Sequence, residues 1–399
     1  MNPNLPYPAL RLRPKEDRRL RAGHPWIYSN EVDTRATPLT AIAPGSVCRV
    51  EDAGGAALGL AHVNPHTLLC GRMLSRDADE RIDTAFYRRR LEQALTLRRS
   101  LFARPFYRLV HGEGDLLPGL VIDRYEDYLV IQPGSLGMEQ DLTLLQEALL
   151  TVLHPTGILI KGSGPARGLE GLAERVEVLH GHIPEILEVE ENDCRFHFSP
   201  RTGQKTGWFY DHRANRARLR PLAQGRRVLD LFSYLGAFAI PLAQAGALAV
   251  TAVDASAHAL ERARSNAARN GVANLSCVEA DAFDYLRDAA ARGEQFDVIA
   301  LDPPALAKNR GSVAGALRGY RELNLRAMRL LAPGGLLFTA SCSYHVSKAM
   351  FLDVVREAAA DSQRTLILRA VTGQPLDHPE VVTIPETGYL KGVLLEAGA

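Results

Sequence analysis

The C-terminal half of the chain alternates short apolar segments with segments of helical periodicity, and this alternation constrains its fold most. The predicted strands are Val228–Leu231, Ala249–Val253, Leu275–Val278, Val298–Leu301, Leu336–Ala340 and Thr365–Leu368. Helices are predicted between them, such as Ala257–Asn270, which ends at Gly271. Strands that alternate with helices in this way predict a doubly wound α/β fold with a parallel sheet.

An acidic or sulfur-containing side chain follows each of the first five predicted strands. Asp230 ends the first strand, Asp254 follows the second, and Asp281 lies just after the third. Asp302 follows the fourth strand, and Cys342, between two serines, follows the fifth. Ligands of doubly wound proteins bind where the carboxyl ends of the strands meet. A single acid could instead cap the next helix, but five such residues in order predict a binding site.

The turn after the first strand indicates the class of ligand. It contains one glycine, Gly236, and no Gly-x-Gly-x-x-Gly pattern, which disfavours a dinucleotide dehydrogenase. At the next strand ends, Asp254 can accept hydrogen bonds from both ribose hydroxyls of a nucleoside, and Asp281 can meet an adenine amino group. This arrangement resembles the class I (Rossmann-like) methyltransferases, and the resemblance implies S-adenosylmethionine as the cofactor.

Cys342 is the candidate nucleophile. Carbon 5 of cytosine is a poor nucleophile, so enzymes that methylate it first add a thiolate to carbon 6 and place an acid at ring nitrogen 3. Cys342 lies where such a thiolate belongs, and Asp302, on the neighbouring strand, is the matching acid. Two alternatives stay open: Cys342 is a small buried residue, or the methyl group goes to a nitrogen or to guanine, without a covalent step.

Almost the whole chain resembles the RlmI-type 5-methylcytosine methyltransferases of large-subunit ribosomal RNA. The matching segments are 24–28, 111–119, 123–125, 203–207, 211–213, 230–238, 302–304 and 341–343. The pair Gly203-Gln-Lys-Thr-Gly207 and Asp211-His-Arg213 is the most distinctive. The resemblance implies a PUA-like RNA-binding β domain over 1–75, a central α+β domain over 76–188, and the methyltransferase domain over 189–399.

The resemblance also assigns roles to individual residues. It implies that Cys342 is the attacking thiol and Asp302 its partner. The residues it implies for the cofactor site are Asp230, Phe232, Gly236, Asp254, Asp281, Asp302, Gln204, Lys205 and Arg213. Two features depart from other enzymes: Leu235 and Ala237 replace the usual Thr and Gly beside Gly236, and no cysteine follows Asp302-Pro-Pro. The base that removes the carbon-5 proton is therefore not identified.

The net charge of +1 hides an uneven distribution of charge. There are 47 Lys and Arg against 46 Asp and Glu, but basic residues concentrate in segments 11–21, 81–106 and 201–227. We expect these segments to bind RNA phosphates. Weaker candidates for RNA contact are Arg18, Arg19, Arg21, Trp26 and Arg89, although solvated cations and a packed Trp26 are the simpler interpretations.

Other features of the sequence reduce the number of possible functional classes. The five cysteines form no CxxC pair, which predicts a reduced, cytoplasmic protein, and no His or Cys cluster predicts a metal site. The charge-free stretch 231–253 contains Gly and Pro and is interpreted as loop, helix and strand rather than a membrane span. A homodimer is one option for the assembly. A non-catalytic RNA-binding ribosome assembly factor remains the alternative from another functional class.

Overall fold

The computed structural model describes residues 7–398, so residues 1–6 and residue 399 of the predicted terminal domains lie outside the described residues. Contacts divide the chain into two compact units. The first unit comprises the described part of Met1–Leu187 together with Ser199–Trp208 and Leu376–Thr387. The second comprises Glu188–Phe198, Phe209–Pro375 and the described part of Gly388–Ala399. The three domain boundaries expected from the sequence stay a prediction.

The first unit begins with a five-stranded sheet, in the region where a PUA-like β domain was expected. Its elements are β1 (Ala9–Arg11), α1 (Arg18–Arg21), β2 (Trp26–Ile27), β3 (Ser46–Glu51), β4 (Ala57–Val63) and β5 (Gly71–Ser75). The strand order is β1-β3-β4-β5-β2, and only β1 and β3 are parallel. Buried aliphatic residues such as Leu10, Ile27 and Val50 fill its core.

A second sheet with covering helices completes the first unit. Its elements are α2 (Thr84–Leu101), β6 (Phe106–His111), β7 (Leu120–Tyr125), β8 (Tyr128–Pro133), α3 (Leu136–Gln140), α4 (Leu142–Leu153), β9 (Gly157–Gly162), α5 (Pro165–Leu169) and β10 (Arg175–Gly181). The strand order is β10-β9-β8-β7-β6, with β8 and β9 parallel and the other pairs antiparallel.

The chain between β8 and β9 forms two successive helices, α3 and α4, rather than one. The break falls at Asp141, where φ is −84° and ψ is 8°. The Asp141 carboxylate accepts a hydrogen bond from the Tyr87 hydroxyl at 2.5 Å and contacts His62 Nε2 at 2.8 Å. These tertiary contacts stabilise the break, and local sequence periodicity does not reveal them.

The second unit is built on a seven-stranded sheet. Its elements are β11 (Leu187–Glu191), β12 (Cys194–Phe198), α6 (Arg213–Leu219), β13 (Arg227–Leu231), α7 (Ala239–Gln244), β14 (Ala249–Asp254), α8 (Ala257–Arg269), β15 (Leu275–Glu279), α9 (Ala282–Ala291), β16 (Phe296–Leu301), α10 (Val313–Arg329), β17 (Leu331–Ser341), α11 (Lys348–Ser362), β18 (Leu366–Thr372) and β19 (Lys391–Ala397). Short 3-10 helices in the two units cover Ser29–Glu31, Leu39–Ala41, Gly112–Asp115, Tyr210–His212, Arg220–Leu222, Arg310–Ser312 and Pro385–Thr387.

The strand order of this sheet is β15-β14-β13-β16-β17-β19-β18, while β11 and β12 form a separate pair. The five strands from β13 to β17 are parallel, as predicted. The last strand, β19, was not predicted; it runs antiparallel to β17 and β18 and lies between them. The expectation of a purely parallel sheet was therefore wrong at this edge, whereas the doubly wound α/β class is confirmed.

Both faces of the central strands of the seven-stranded sheet are buried, which explains the nearly continuous apolar sequences of these strands. Leu229 and Leu231 pack on the face covered by α9, α10 and α11, and Val228 packs on the opposite face with α7. Polar groups are therefore concentrated where the strands end. The charge-free stretch 231–253 divides into a turn, α7 and most of β14, and within the described residues no helix is long and apolar enough to cross a membrane.

Candidate active site

Asp230 lies near the carboxyl end of β13 and is 1% exposed. Its Oδ2 accepts hydrogen bonds from the Ser233 hydroxyl at 2.6 Å and from the Ala239 N–H at 3.0 Å. Its Oδ1 is buried and has no hydrogen-bond partner in the described part of the chain. Burying a carboxylate oxygen without a partner is costly. This oxygen therefore fits a ligand that brings its own donor, such as the amino group of S-adenosylmethionine.

The ionisation of Asp230 reflects the same environment. Burial raises its pKa to about 7, and the carboxylates of Asp302 and Asp254 also act to raise it. The hydrogen bonds from Ser233 and Ala239 act in the opposite direction. A cationic ligand group near Oδ1 would favour the ionised carboxylate.

The turn between β13 and α7 adopts an unusual backbone conformation. Phe232, Tyr234 and Gly236 have φ angles of +62°, +51° and +81°, in the left-handed region that residues other than glycine seldom adopt. The φ of +81° favours glycine at position 236, and a Cβ there would also lie 2.8 Å from Ile240 Cδ1, which would have to move. Asp254 supports the turn, because its Oδ2 accepts the Tyr234 N–H at 2.8 Å.

Two of the predicted cofactor acids also stabilise local structure. The Oδ1 of Asp254 accepts the Ser256 N–H at 2.9 Å, just before α8. Asp281 is the N-cap of α9, where its Oδ1 accepts the N–H groups of Phe283 and Asp284 at 2.8 and 3.3 Å. The capping role considered for single acids thus applies to Asp281, whose side chain is nevertheless exposed and uses one oxygen for both bonds.

Asp302 directly follows β16, the strand that pairs with β13, and its side chain is 25% exposed. Its Oδ1 lies 3.0 Å from Nε2 of the buried His212. The Asn215 amide nitrogen lies 3.1 Å from His212 Nδ1 and 3.5 Å from the Gly373 carbonyl oxygen. Because the Asn215 amide nitrogen is a donor, these contacts assign Nδ1 of His212 as an acceptor. Nε2 therefore carries the ring hydrogen and donates a hydrogen bond to Asp302 Oδ1.

Sequence reasoning missed His212 as a site residue. Its signal was its position inside the distinctive Asp211-His-Arg213 segment. The imidazole packs edge-on against Phe238 and Phe338, at 5.5 and 6.0 Å between ring centroids. This packing and the Asn215 bond fix the ring, which in turn fixes one oxygen of Asp302.

Cys342 directly follows β17 and is half-buried. Its Sγ lies 4.0 Å from the Pro303 carbonyl oxygen, so the structure brings Cys342 to the loop that begins at Asp302. The next residue, Ser343, is anchored: its hydroxyl lies 2.8 Å from the Tyr320 hydroxyl, and its carbonyl accepts a bond from Lys391 at 2.6 Å.

The remaining predicted cofactor residues are distributed between the two units. Gln204 and Lys205 belong to the first unit, where both are exposed, and Lys205 has a φ of +48°. Arg213 belongs to the second unit; its Nε lies 3.3 Å from Glu191 Oε2, and its guanidinium carbon lies 4.8 Å from the Tyr210 ring centroid. Their role in binding the cofactor stays a prediction.

Four of the five weaker RNA-contact candidates interact with acids in the first unit. Arg19 pairs with Glu31 at 2.5 Å, Arg21 with Asp17 at 2.5 Å and with Asp52 at 2.8 Å, and Arg89 with Glu80 at 2.5 Å, while the Trp26 indole donates to Glu113 at 2.8 Å. Arg18 is exposed on α1. RNA contact by these residues stays a prediction. Among the described residues, no group of three or more His, Cys, Asp or Glu could hold a metal ion.

Two family models match the chain. A PUA-like domain matches residues 10–76, and an S-adenosylmethionine-dependent methyltransferase matches residues 172–394. Ribosomal RNA large subunit methyltransferase I of Aeromonas salmonicida is 37% identical over 94% of this chain and 95% of that protein. The protein of the same name from Tolumonas auensis is 38% identical over 97% of this chain and 98% of its own length.

Solved structures agree on the fold. A Streptococcus mutans protein described as an S-adenosylmethionine-dependent methyltransferase superposes with a TM-score of 0.83 and 21% identity, covering 98% of this chain and all of that one. A methyltransferase complexed with S-adenosylhomocysteine gives a TM-score of 0.85 at 21% identity and the same coverage. The expected N-terminal PUA-like domain, the Rossmann-like methyltransferase sheet and the cofactor S-adenosylmethionine are confirmed. The chain belongs to the S-adenosylmethionine-dependent methyltransferase family known as ribosomal RNA large subunit methyltransferase I.

Proposed function

We propose that the chain transfers a methyl group from S-adenosylmethionine to carbon 5 of a cytosine in large-subunit ribosomal RNA, through a covalent bond between Cys342 and carbon 6. The observation that carries this proposal is the position of Cys342 Sγ, 4.0 Å from the carbonyl of Pro303, which directly follows Asp302. The names of the related proteins support the class of RNA. The half-burial of Cys342 favours a reactive thiol over a core residue.

Three carboxylates at the strand ends have the chemistry to hold the cofactor. The free Oδ1 of Asp230 suits the cofactor's amino group, while Asp254 suits the ribose hydroxyls and Asp281 the adenine amino group. The turn that contains Phe232 and Gly236 supplies backbone close to these acids. When bound, S-adenosylmethionine supplies a methyl group on a positively charged sulfur, which is a strong electrophile.

Cys342 and Asp302 act on the cytosine ring. The Cys342 thiolate adds to carbon 6, and Asp302 hydrogen-bonds or protonates nitrogen 3, so the electron pair from the broken double bond makes carbon 5 nucleophilic. Carbon 5 then forms a bond to the methyl group while the sulfur–methyl bond breaks, and the electron pair of that bond stays on the sulfur, which becomes neutral. Loss of the carbon-5 proton to a base and expulsion of Cys342 restore the aromatic ring.

His212 acts on this reaction through Asp302. Its Nε2–H donates to Oδ1, so Oδ2 is the Asp302 oxygen that this contact leaves for the ring. Catalysis that depends on a hydrogen bond at one ring nitrogen requires this carboxyl group to be fixed in orientation before the substrate binds. The contacts of His212 with Asn215, Phe238 and Phe338 provide that fixation.

The test compares Cys342→Ala with Cys277→Ala, since Cys277 is the other half-buried cysteine of the described chain. Transfer of labelled methyl groups to large-subunit ribosomal RNA is measured, and 5-methylcytosine is mapped by mass spectrometry. We expect Cys342→Ala to lower turnover by roughly 10³-fold or more while S-adenosylmethionine binding persists. Cys277→Ala should retain full turnover.

The other outcomes identify the alternatives. Full turnover in Cys342→Ala would exclude the covalent mechanism and favour methylation of a nitrogen or of guanine. RNA binding without methylation by the intact protein would favour the assembly factor. RNA that contains 5-fluorocytidine gives a direct readout, because its carbon 5 carries no removable proton and the Cys342 adduct should accumulate.

A further inference from the structure

Lys391 is a buried cation beside the candidate nucleophile. It begins β19 and pairs in register with Ser341, the residue before Cys342. Its side chain is 5% exposed. The Nζ atom donates to the carbonyl oxygen of Ser343 at 2.6 Å and to that of Tyr389 at 2.8 Å. Lys391 is therefore held against the segment that contains the thiol.

This environment is unusual for lysine, which is seldom buried without a paired charge. Among the described residues, the two groups that Lys391 Nζ donates to are neutral carbonyls, and no carboxylate acts on its pKa. Burial lowers the pKa of Lys391 to about 8, and the neighbouring Cys342 acts in the opposite direction by raising it. The two carbonyl oxygens use two of the three N–H groups of the ammonium. The arrangement lacks an anion that would compensate the charge, and a Cys342 thiolate would supply one.

Three other groups near Cys342 carry no positive charge. Asp302 carries a carboxylate at the start of the loop that contacts Sγ, and Pro303 presents a carbonyl oxygen. From α10, the buried Tyr320 hydroxyl contacts Ser343, and burial raises the pKa of Tyr320. None of these groups favours a thiolate. Of the groups named, Lys391 alone can offset the negative charge on sulfur.

We infer that Lys391 activates Cys342: its ammonium, fixed by the carbonyls of Ser343 and Tyr389, stabilises the thiolate that adds to the cytosine ring. The inference deepens the proposed function and rests on Cys342 being the nucleophile. Lys391 is a positioning and activating residue, which acts through sulfur and does not touch the RNA base. A cation beside a cysteine lowers the thiol pKa. For a thiol whose pKa lies well above 7, each unit by which the pKa falls raises the thiolate fraction at pH 7 about tenfold.

The experiment measures the reactivity of Cys342 without RNA or cofactor. The full-length protein is treated with iodoacetamide from pH 5 to pH 10, and the modified Cys342 and Cys277 peptides are quantified by mass spectrometry. In the wild-type protein we expect the midpoint of Cys342 alkylation to lie below the ~8.5 of a free thiol. Cys277, whose thiol pKa is raised by burial, should have a midpoint above it and serves as the internal control.

The variant is Lys391→Gln, which is neutral and keeps an N–H₂ group to donate to the two carbonyl oxygens. We expect its Cys342 midpoint to rise by at least about one pH unit and its alkylation rate at pH 7 to fall about tenfold. Lys391→Arg, which keeps the charge, should restore part of this reactivity. An unchanged midpoint in folded Lys391→Gln would overturn the inference, as would a wild-type midpoint at or above ~8.5 if the variant does not fold.

Assays of RNA methylation distinguish failure of this inference from failure of the proposed function. If both hold, Lys391→Gln should lower the turnover number about tenfold at pH 7, and raising the pH to 9 should recover most of the loss, which a purely structural defect would not show. A shifted alkylation midpoint together with full methylation by Cys342→Ala would uphold the activated thiol and refute the covalent mechanism. Loss of methylation in Cys342→Ala, together with an unshifted alkylation midpoint in Lys391→Gln, would uphold the covalent mechanism and refute activation of the thiol by Lys391.

Discussion

Buried charge is arranged differently around Arg98 and Arg108 in the first unit and around Asp230 in the second. In the first unit, the buried arginines Arg98 and Arg108 each form a two-point pair with a buried aspartate. In the second unit, Asp230 is as deeply buried but pairs with no cation among the described residues. A buried charge whose partners all lie within the fold needs no ligand, whereas a buried oxygen without a partner, such as Asp230 Oδ1, is a position that a ligand can complete.

The paired network of the first unit is centred on Arg98 of α2, which is 0% exposed. Its guanidinium contacts both oxygens of Asp115 at 2.5 and 2.7 Å and donates to the carbonyls of Arg108 and Asp377, each at 2.9 Å. Arg108 similarly contacts both oxygens of Asp123 at 2.9 and 2.8 Å. No ligand is needed to satisfy these guanidinium and carboxylate groups.

The largest expected effect follows from breaking this network. We expect Arg98→Met to lower the free energy of unfolding by about 3–5 kcal/mol, because it leaves the Asp115 carboxylate buried without its cation. Chemical denaturation followed by circular dichroism measures the change. In the fraction that remains folded, the affinity for S-adenosylmethionine should be unaltered.

The matched control is Arg88→Met on the same helix. Arg88 pairs with Glu92 at 3.8 Å, and the side chains are 49% and 55% exposed. Such an exposed pair contributes less than about 1 kcal/mol. Equal losses of stability in Arg88→Met and Arg98→Met would contradict a structural role for the buried network.

Substitution of Asp230 should change the free energy of unfolding in the opposite direction. Its pKa of about 7 exceeds the ordinary aspartate value of 3.8, so the folded protein binds an extra proton between these values. Stability should therefore fall as the pH rises from about 4 to 7, and the cost remains above pH 7. Asp230→Asn removes this cost, and at pH 8 we expect it to raise the free energy of unfolding by about 1–4 kcal/mol.

The same substitution should weaken S-adenosylmethionine binding, by about tenfold, because the neutral amide cannot offset the positive charge of an amino group. Calorimetric titration at pH 8 measures the affinity, and thermal unfolding without the cofactor at pH 4.5 and pH 8 measures stability. If Asp230→Asn is less stable than the wild-type protein at both pH values, Asp230 is a structural acid like Asp115.

The sequence predicted the part of the site that depends on local order along the chain. Asp230, Asp254 and Asp302 follow from apolar strands that end in acids, because parallel strands bring their carboxyl ends to one edge. It did not predict His212 or Lys391 as site residues. His212 acquires its role from Asp302, which is distant in sequence, and Lys391 from pairing of β19 with β17. Only the folded sheet creates these contacts.

Asp281 offers the smallest and sharpest test of the comparison, because Asp83 in the first unit is the same residue type in the same structural role. Asp83 caps α2, where its side chain accepts the Phe86 N–H at 2.9 Å, and Asp281 caps α9. Replacing either by Ala should cost about 1 kcal/mol of stability, and replacing either by Asn much less, since Asn retains a capping oxygen.

The two caps should differ in their effect on the cofactor. Both Asp281→Asn and Asp281→Ala should lower the affinity for S-adenosylmethionine several-fold, because the carboxylate that suits the adenine amino group is lost, whereas Asp83→Asn and Asp83→Ala should leave it unaltered. Thermal unfolding and calorimetric titration of the four variants separate the two roles. If Asp281→Asn binds the cofactor as tightly as the wild-type protein, Asp281 is a helix cap alone, and the contrast between the units then depends on Asp230.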